Sequence, residues 1–380
     1  MTEKNPLRRL EQFGQSIWLD YIRRQMITSG ELQKLIDEDG LKGITSNPAI
    51  FEKAIAGSTD YDEAIRGLVR QNKSVLEIYH DLTVADVQMA ADAFRPLYDQ
   101  LDGKDGFVSL EVNPHLARDT EGTIREARQL WQDVNRPNLL IKVPGTVEGL
   151  PAITRLISEG INVNVTLLFG LTRYEQVAEA YIAGLEARLA QGGSLARVAS
   201  VASFFLSRID VLLDPILEKM ASLGGDRAEK AHDLVGEVAI ACAKMAYAIY
   251  QRLFSTDRFK ALAAQGARTQ RVLWASTSTK NPAYPDVKYV EPLIGPDTIN
   301  TLPPETLEAY RDHGDPAPRL TEGLDRTAEI LERLPKPELY IDLNQVAQRL
   351  EDEGIDKFNK PYDSLLKTLE AKRQAMQASA

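Results

Sequence analysis

A lysine lies in the middle of an apolar segment of the chain. Lys142 is preceded by LLI at 139–141 and followed by VP at 143–144. Burial favours the uncharged form of an amine, and that form is the nucleophile that makes a Schiff base with a carbonyl compound. An ion pair with Glu111 or Asp20 explains a buried lysine equally well, because an opposite charge compensates for lost hydration. The residues alone leave both interpretations open.

Two carboxylates also follow apolar runs. Asp20 ends the run SIWL at 16–19, and Glu111 follows VSL at 108–110. One amine between two carboxylates can move protons at several steps of carbonyl chemistry, which makes Asp20 a candidate general base. The spacing also allows Asp20 to be the N-cap of a helix that starts at Tyr21, and this alternative stays open.

Amide and hydroxyl side chains alternate with valines at 162–166. With the period of a strand, Asn162, Asn164 and Thr166 are expected to face one side together. Such groups suit a polyhydroxylated substrate, although a structural hydrogen-bond network has the same composition. The four histidines form no H-x-x-x-H or H-E-x-x-H pair, so we expect no metal and no other cofactor.

Short apolar runs alternate with longer stretches of helical period along most of the chain. Runs of this kind are typical of strands that are covered on both faces, as in a parallel sheet. Eight repeats of strand and helix predict an α/β fold, a (β/α)₈ TIM barrel with its polar strand ends gathered at one face. A doubly wound sheet is the rival, but no G-x-G-x-x-G occurs. The eight predicted strands are at 16–19, 43–46, 107–112, 139–143, 161–166, 198–203, 271–275 and 288–290.

Some segments are longer than one barrel crossover requires. Residues 50–105 and 210–268 are expected to form additional helices, and residues 325–380 a helical C-terminal extension packed on the barrel. We therefore predict one domain over residues 1–380.

The charge composition indicates which classes of binding partner are not expected. The 380 residues include 45 basic and 55 acidic ones, which gives a net charge of −10 at pH 7. Nucleic-acid and anionic-membrane binders usually carry the opposite sign, so neither partner is expected. The N-terminus has no apolar leader segment, and Cys242 is the only cysteine, so we expect a cytoplasmic protein without disulfides. The sequence carries no signal for a particular oligomeric state.

Six segments, in order along residues 15–300, resemble the transaldolase family, specifically its longer bacterial subfamily. The segment around the lysine and the run I-N-x-N-x-T-L-L-F are the most specific of them. The matching segments are GITSNP at 43–48, VSLEV at 108–112, LLIKVPGT at 139–146, GINVNVTLLF at 160–169, VASFFLSRID at 201–210 and WASTSTKNP at 274–282.

The resemblance implies a class I aldolase-type barrel that acts on phosphorylated sugars. The implied reaction transfers a dihydroxyacetone unit from sedoheptulose 7-phosphate to glyceraldehyde 3-phosphate in the non-oxidative pentose phosphate pathway. The products are erythrose 4-phosphate and fructose 6-phosphate.

The resemblance also implies residue roles. Lys142 forms the Schiff base, Asp20 is the acid/base at the C4 hydroxyl, and Glu111 relays protons through a water held by Thr166. Asn47, Asn164 and Ser203 hold the dihydroxyacetone hydroxyls, and Arg208 binds the phosphate. The shorter form of the family has a second phosphate-binding arginine after the seventh strand. Here that turn contains Ser276 and Lys280, which complete the expected substrate-binding set.

Two other functions are compatible with the same set of residues. A fructose-6-phosphate aldolase uses the same architecture but releases free dihydroxyacetone. A non-catalytic sugar-phosphate-binding barrel keeps the pocket without turnover, and the complete set of lysine, aspartate and glutamate argues against it.

Overall fold

Eight parallel strands close into a barrel in the computed structural model, which describes residues 5–378. Each strand pairs with the next one along the chain, and the last pairs with the first. The strands are β1 (Gln15–Asp20), β2 (Gly43–Thr45), β3 (Phe107–Glu111), β4 (Leu139–Pro144), β5 (Val163–Leu168), β6 (Ser200–Phe205), β7 (Arg271–Ala275) and β8 (Thr298–Leu302). The predicted (β/α)₈ barrel is confirmed.

Helices follow the strands and surround the barrel. They are α1 (Pro6–Arg9), α2 (Arg24–Thr28), α3 (Glu31–Lys34), α4 (Pro48–Ala56), α5 (Asp62–Arg70), α6 (Val75–Gln100), α7 (Thr120–Val134), α8 (Gly149–Glu159), α9 (Leu171–Ala190), α10 (Ser207–Ala221), α11 (Asp226–His232), α12 (Val238–Phe254), α13 (Asp257–Ala263), α14 (Pro304–His313), α15 (Leu324–Arg333) and α16 (Leu343–Ala378). Additional helices occupy both long intervals, as expected. None of the described helices is long and apolar enough to cross a lipid bilayer.

The predicted position of the eighth strand is wrong. Residues 288–290 form turns, and β8 begins at Thr298. Its polar residues are compatible with a buried strand because they are hydrogen-bonded: Thr298 Oγ1 donates to Gly295 O, and Asn300 Nδ2 donates to Tyr289 O. In the run KYV at 288–290, Tyr289 and Val290 are buried although the segment forms turns, so burial there does not indicate a strand.

The amino end of the barrel is closed by a polar network around one tryptophan. Trp18 is fully buried, and its Nε1 donates to Asp105 Oδ1 at 2.8 Å. Arg271 Nη1 lies 3.3 Å from the other oxygen of Asp105. Gly43 fits against this tryptophan because a Cβ there would lie 2.5 Å from Trp18 Cδ2 and 2.8 Å from Phe107 O. These contacts stabilise the end of the barrel opposite the candidate site.

The long C-terminal helix lies against the barrel. α16 packs on α4, α5 and α6 and also contacts β5 and α10. It is fixed by Glu351, whose carboxylate lies 3.2 Å from Arg173, and by Lys372, whose Nζ lies 2.6 Å from Asp62. The expected C-terminal extension is therefore mostly helical, formed by α15 and α16, and α16 packs on the helices that surround the barrel. That the whole chain is one domain stays a prediction.

Candidate active site

A cavity of about 340 Å³ lies at the carboxyl end of the barrel. Side chains at the ends of β1, β2, β4, β6, β7 and β8 line it, which is where (β/α)₈ enzymes place their chemistry. Three of the predicted site residues, Glu111, Asn164 and Thr166, lie outside its lining. The predicted residues that do line it are Asp20, Asn47, Lys142, Ser203, Arg208, Ser276 and Lys280.

Lys142 lines the cavity from β4, and it has a register partner on each of the two neighbouring strands. Glu111 of β3 is its register partner on one side, and Asn164 of β5 on the other. The Lys142 side chain is 4% exposed, and its Nζ lies 3.5 Å from Glu111 Oε2 and donates to Ser46 O at 3.1 Å. The two interpretations of this lysine therefore coexist: it has a carboxylate neighbour, and it lines the cavity.

Glu111 is a buried carboxyl group that can exchange a proton near neutral pH. The residue is 7% exposed, and neither carboxylate oxygen accepts a hydrogen bond within the described part of the chain. Burial raises the pKa of Glu111 from its ordinary 4.5 to about 7, and the positive charge of Lys142 opposes part of that rise. A carboxyl group with such a pKa is suited to act as both acid and base.

Thr166, on β5, is a second buried polar group. Its Oγ1 has no hydrogen-bond partner among residues 5–378. Its register partner is Pro144, two residues beyond Lys142 on β4, so both lie at the same end of the strand pair. The next residue, Leu167, has a φ of +59°, in the left-handed region, where β5 bulges away from its pairing with β6. Unpaired buried hydroxyls and strained backbone both concentrate at functional sites.

Asp20 faces the cavity from the end of β1. Thr45 Oγ1 lies 2.7 Å from Asp20 Oδ1 and also 2.7 Å from Thr301 Oγ1, so the carboxylate is held in a fixed orientation. Burial raises the pKa of Asp20, and Lys142 opposes part of that rise. The capping alternative is wrong, because α2 begins at Arg24 and its N-cap residue is Arg23.

Some of the predicted amide and hydroxyl side chains line the cavity, and others form hydrogen bonds with those that do. Asn164 accepts from Ser203 Oγ at 2.7 Å and donates to Ser109 Oγ at 3.0 Å, which fixes its orientation. Asn47 Oδ1 accepts from Ile50 N and caps α4, while its side chain lines the cavity.

That Asn162 faces the same side as Asn164 stays a prediction. The Asn162 amide donates to Pro137 O and Leu139 O and accepts from Ala199 N, at the amino ends of β4 and β6. It precedes β5 and connects neighbouring backbone segments there.

Positive side chains gather at the mouth of the cavity. Lys53, Arg208 and Lys280 line it, and none of the three has a carboxylate within salt-bridge distance in the described structure. Arg208 Nη1 is buried and has no hydrogen-bond partner among residues 5–378, and burial lowers the pKa of the guanidinium, which nevertheless stays charged. Lys280 Nζ donates to Ser278 Oγ. Free cations at a cavity mouth in an acidic protein favour an anionic ligand group.

Ser276 supports this mouth from the end of β7. Its φ is +54°, and its Oγ lies 2.8 Å from Ser207 Oγ, at the first residue of α10. This contact joins the loop after β7 to the helix that carries Arg208.

Several lining residues escaped the sequence analysis. Thr301 follows from the corrected position of β8, since it lies at the carboxyl end of that strand. Phe358 comes from α16, outside the repeating strand and helix units.

His115, near Glu111 in the chain, does not line the cavity. Its Nε2 lies 2.8 Å from Asp363 Oδ1.

Comparison with known proteins identifies the family. A family model described as Transaldolase/Fructose-6-phosphate aldolase matches residues 17–369. The chain belongs to this family. It is 52% identical over 370 residues to a transaldolase of Trichodesmium erythraeum, covering 97% of both chains. It is also 48% identical over 370 residues to a transaldolase of Saccharopolyspora erythraea, covering 97% of this chain and 98% of that one. The resemblance to the transaldolase family and the expectation of an enzyme of this type are confirmed.

Proposed function

We propose that the protein transfers a dihydroxyacetone unit from sedoheptulose 7-phosphate to glyceraldehyde 3-phosphate through a Schiff base on Lys142. The observation that carries the proposal is the placement of one lysine amine. It lines a cavity, it lies 3.5 Å from a carboxyl group with a pKa of about 7, and a second carboxylate, Asp20, faces the same cavity. A charged mouth above these groups suits a phosphorylated sugar.

The first half of the reaction forms the imine and cleaves the donor. The Lys142 amine adds to C2 of the ketose, and Glu111 provides the proton with which the C2 oxygen leaves as water, giving an iminium ion. Asp20 removes the proton of the C4 hydroxyl, and the C3–C4 bond breaks with its electron pair flowing into the iminium. Erythrose 4-phosphate leaves, and the remaining three carbons stay bound to Lys142 as an enamine.

The second half reverses these steps with another aldehyde. C3 of the enamine attacks the carbonyl carbon of glyceraldehyde 3-phosphate, and Asp20 returns its proton to the new C4 oxygen. Water adds to C2 of the resulting iminium, and Lys142 leaves as the amine to release fructose 6-phosphate. In this scheme Thr166 positions the water through which Glu111 exchanges protons.

The substrate-binding roles are assigned to polar side chains that line the cavity. Asn47 and Ser203 line the cavity and hold the hydroxyls of the three-carbon unit, and Asn164 orients Ser203 through their 2.7 Å hydrogen bond. Arg208, whose buried Nη1 has no partner among the residues that the structure describes, binds the phosphate together with Lys280 and Ser276. The expected cytoplasmic location stays a prediction.

A fructose-6-phosphate aldolase is the second candidate, since the family description includes this activity. The two reactions differ in what leaves the enzyme. We expect fructose 6-phosphate with erythrose 4-phosphate to yield glyceraldehyde 3-phosphate and sedoheptulose 7-phosphate, with little free dihydroxyacetone. Release of dihydroxyacetone at the same rate with and without acceptor would instead identify the aldolase. Absence of any cleavage would identify a binding protein.

A further inference from the structure

One wall of the cavity comes from outside the repeating units of the barrel. Among the lining residues, Phe358 is contributed by α16, whereas the others lie on the strands or on the loops and helices that directly follow them. Phe358 is 4% exposed. Its ring centroid lies 5.6 Å from Lys142 Nζ and 5.9 Å from Arg208 Cζ. The ring therefore stands beside both the amine and the guanidinium.

The packing of α16 brings this ring to its position. Gly354 is one turn before Phe358 and on the same face of the helix. A Cβ at Gly354 would lie 2.9 Å from Leu167 Cδ2, so the glycine permits close approach to the end of β5. The ion pair of Glu351 with Arg173 holds the preceding turn, since Arg173 Nη1 also donates to Gly145 O just after β4. The ring is thus fixed to the barrel from one side.

We infer that Phe358 is a positioning residue that shields the enamine on Lys142 from water and thereby favours transfer over release. The inference rests on the proposed function and concerns what happens to the three-carbon unit after cleavage. A proton from water at C3 converts the enamine into the iminium of dihydroxyacetone. Addition of a second water at C2 then frees Lys142 and releases dihydroxyacetone. An apolar ring beside the amine slows the first of these steps, the protonation of C3, because it excludes water from the reacting atoms. The second step, water addition at C2, also ends the transfer reaction and does not distinguish the two outcomes.

The test measures a ratio of products. Wild type, Phe358→Ala and Phe358→Leu are incubated with fructose 6-phosphate and erythrose 4-phosphate, and both free dihydroxyacetone and sedoheptulose 7-phosphate are quantified. We expect the ratio of release to transfer to rise by about tenfold or more in Phe358→Ala. A smaller rise is expected in Phe358→Leu, which keeps an apolar side chain and most of the packing. Borohydride should still trap the donor on Lys142 in both variants.

A matched control variant distinguishes shielding of the enamine from a general destabilisation of α16. Leu365 is fully buried on α16 but does not line the cavity, so Leu365→Ala should change stability and leave the product ratio unchanged. An unchanged ratio in both Phe358 variants, or an equal rise in Leu365→Ala, would overturn the inference. Failure of wild type to trap the donor or to transfer it would instead refute the proposed function, so the two failures are distinguishable.

Discussion

Glu111 shows how strongly burial alters the chemistry of one residue. Its folded-state pKa of about 7 lies above its ordinary 4.5, so the native state binds more protons than the unfolded state between these values. The contribution of this group to the free energy of unfolding therefore falls as the pH rises through that window. Urea unfolding at about pH 5 and about pH 8 should show wild type losing stability relative to Glu111→Gln. If the difference in free energy of unfolding between wild type and Glu111→Gln is the same at both pH values, or changes in the opposite direction, the pKa of Glu111 is not raised in the folded state.

Asp20 should act after the imine has formed. In Asp20→Asn the shape of the side chain is kept but the base is lost, so the donor is still captured and C3–C4 cleavage is slow. We expect kcat to fall by about 10²–10⁴. The measurement combines steady-state rates with borohydride trapping. If no imine forms in this variant, Asp20 has a different role.

Arg208 should recognise phosphate rather than the sugar. Loss of a charge-assisted hydrogen bond in Arg208→Ala should raise the KM for fructose 6-phosphate by roughly 10–100-fold. The KM for unphosphorylated fructose serves as the internal control and should change little. An equal effect on both sugars would remove the phosphate-binding role.

At the scale of elements, the short strand β2 depends on a glycine. In Gly43→Ala the new methyl group meets the Trp18 ring and the Phe107 carbonyl, neither of which can move freely in the core. We expect a loss of about 1–3 kcal/mol in the free energy of unfolding. Gly67 of α5 has no atom within 4 Å of an added Cβ, so Gly67→Ala should be neutral or stabilise by about 0.5–1 kcal/mol. Equal effects of the two variants in urea unfolding would refute this packing argument.

The repeating pattern of the sequence predicted seven strands near their observed places but misplaced the eighth. That strand carries Thr298, Asn300 and Thr301, and the hydrogen bonds of the last two go to Tyr289 O and Thr45 Oγ1, outside the strand. A search for continuous apolar runs therefore misses it. With β8 corrected, the rule that polar strand ends line the site would have included Thr301.

The residues alone could predict the site where its side chains follow the rule of strand ends, whereas Arg208 and Lys280 were predicted only through the family resemblance. Lys142, Asp20 and Ser203 follow this rule, and the structure places all three at one cavity. Phe358 does not, because its position depends on how α16 packs through Gly354 and Glu351, which local periodicity does not encode. Asn162 lies just before β5 and bonds to neighbouring backbone groups, contacts that the alternation of residue types does not reveal.

At the scale of the whole molecule, the two ends of the barrel have separate tasks. The amino end is closed by Trp18, Asp105 and Arg271, which are paired with one another or with neighbouring groups. The carboxyl end contains cations that form no ion pair within the described part of the chain, together with a buried carboxyl group that has a raised pKa. This division allows a protein with a net charge of −10 to accept an anionic substrate at one place on its surface.

The central claim is that Lys142 becomes covalently bonded to the donor. Three lysines line the cavity, Lys53, Lys142 and Lys280, so the bonded residue must be located and not only detected. Peptide mass spectrometry after incubation with fructose 6-phosphate and borohydride should find one reduced dihydroxyacetone unit on the peptide containing Lys142. Lys142→Ala should lose both the adduct and turnover. An adduct on Lys53 or Lys280, or normal turnover in Lys142→Ala, would contradict the account.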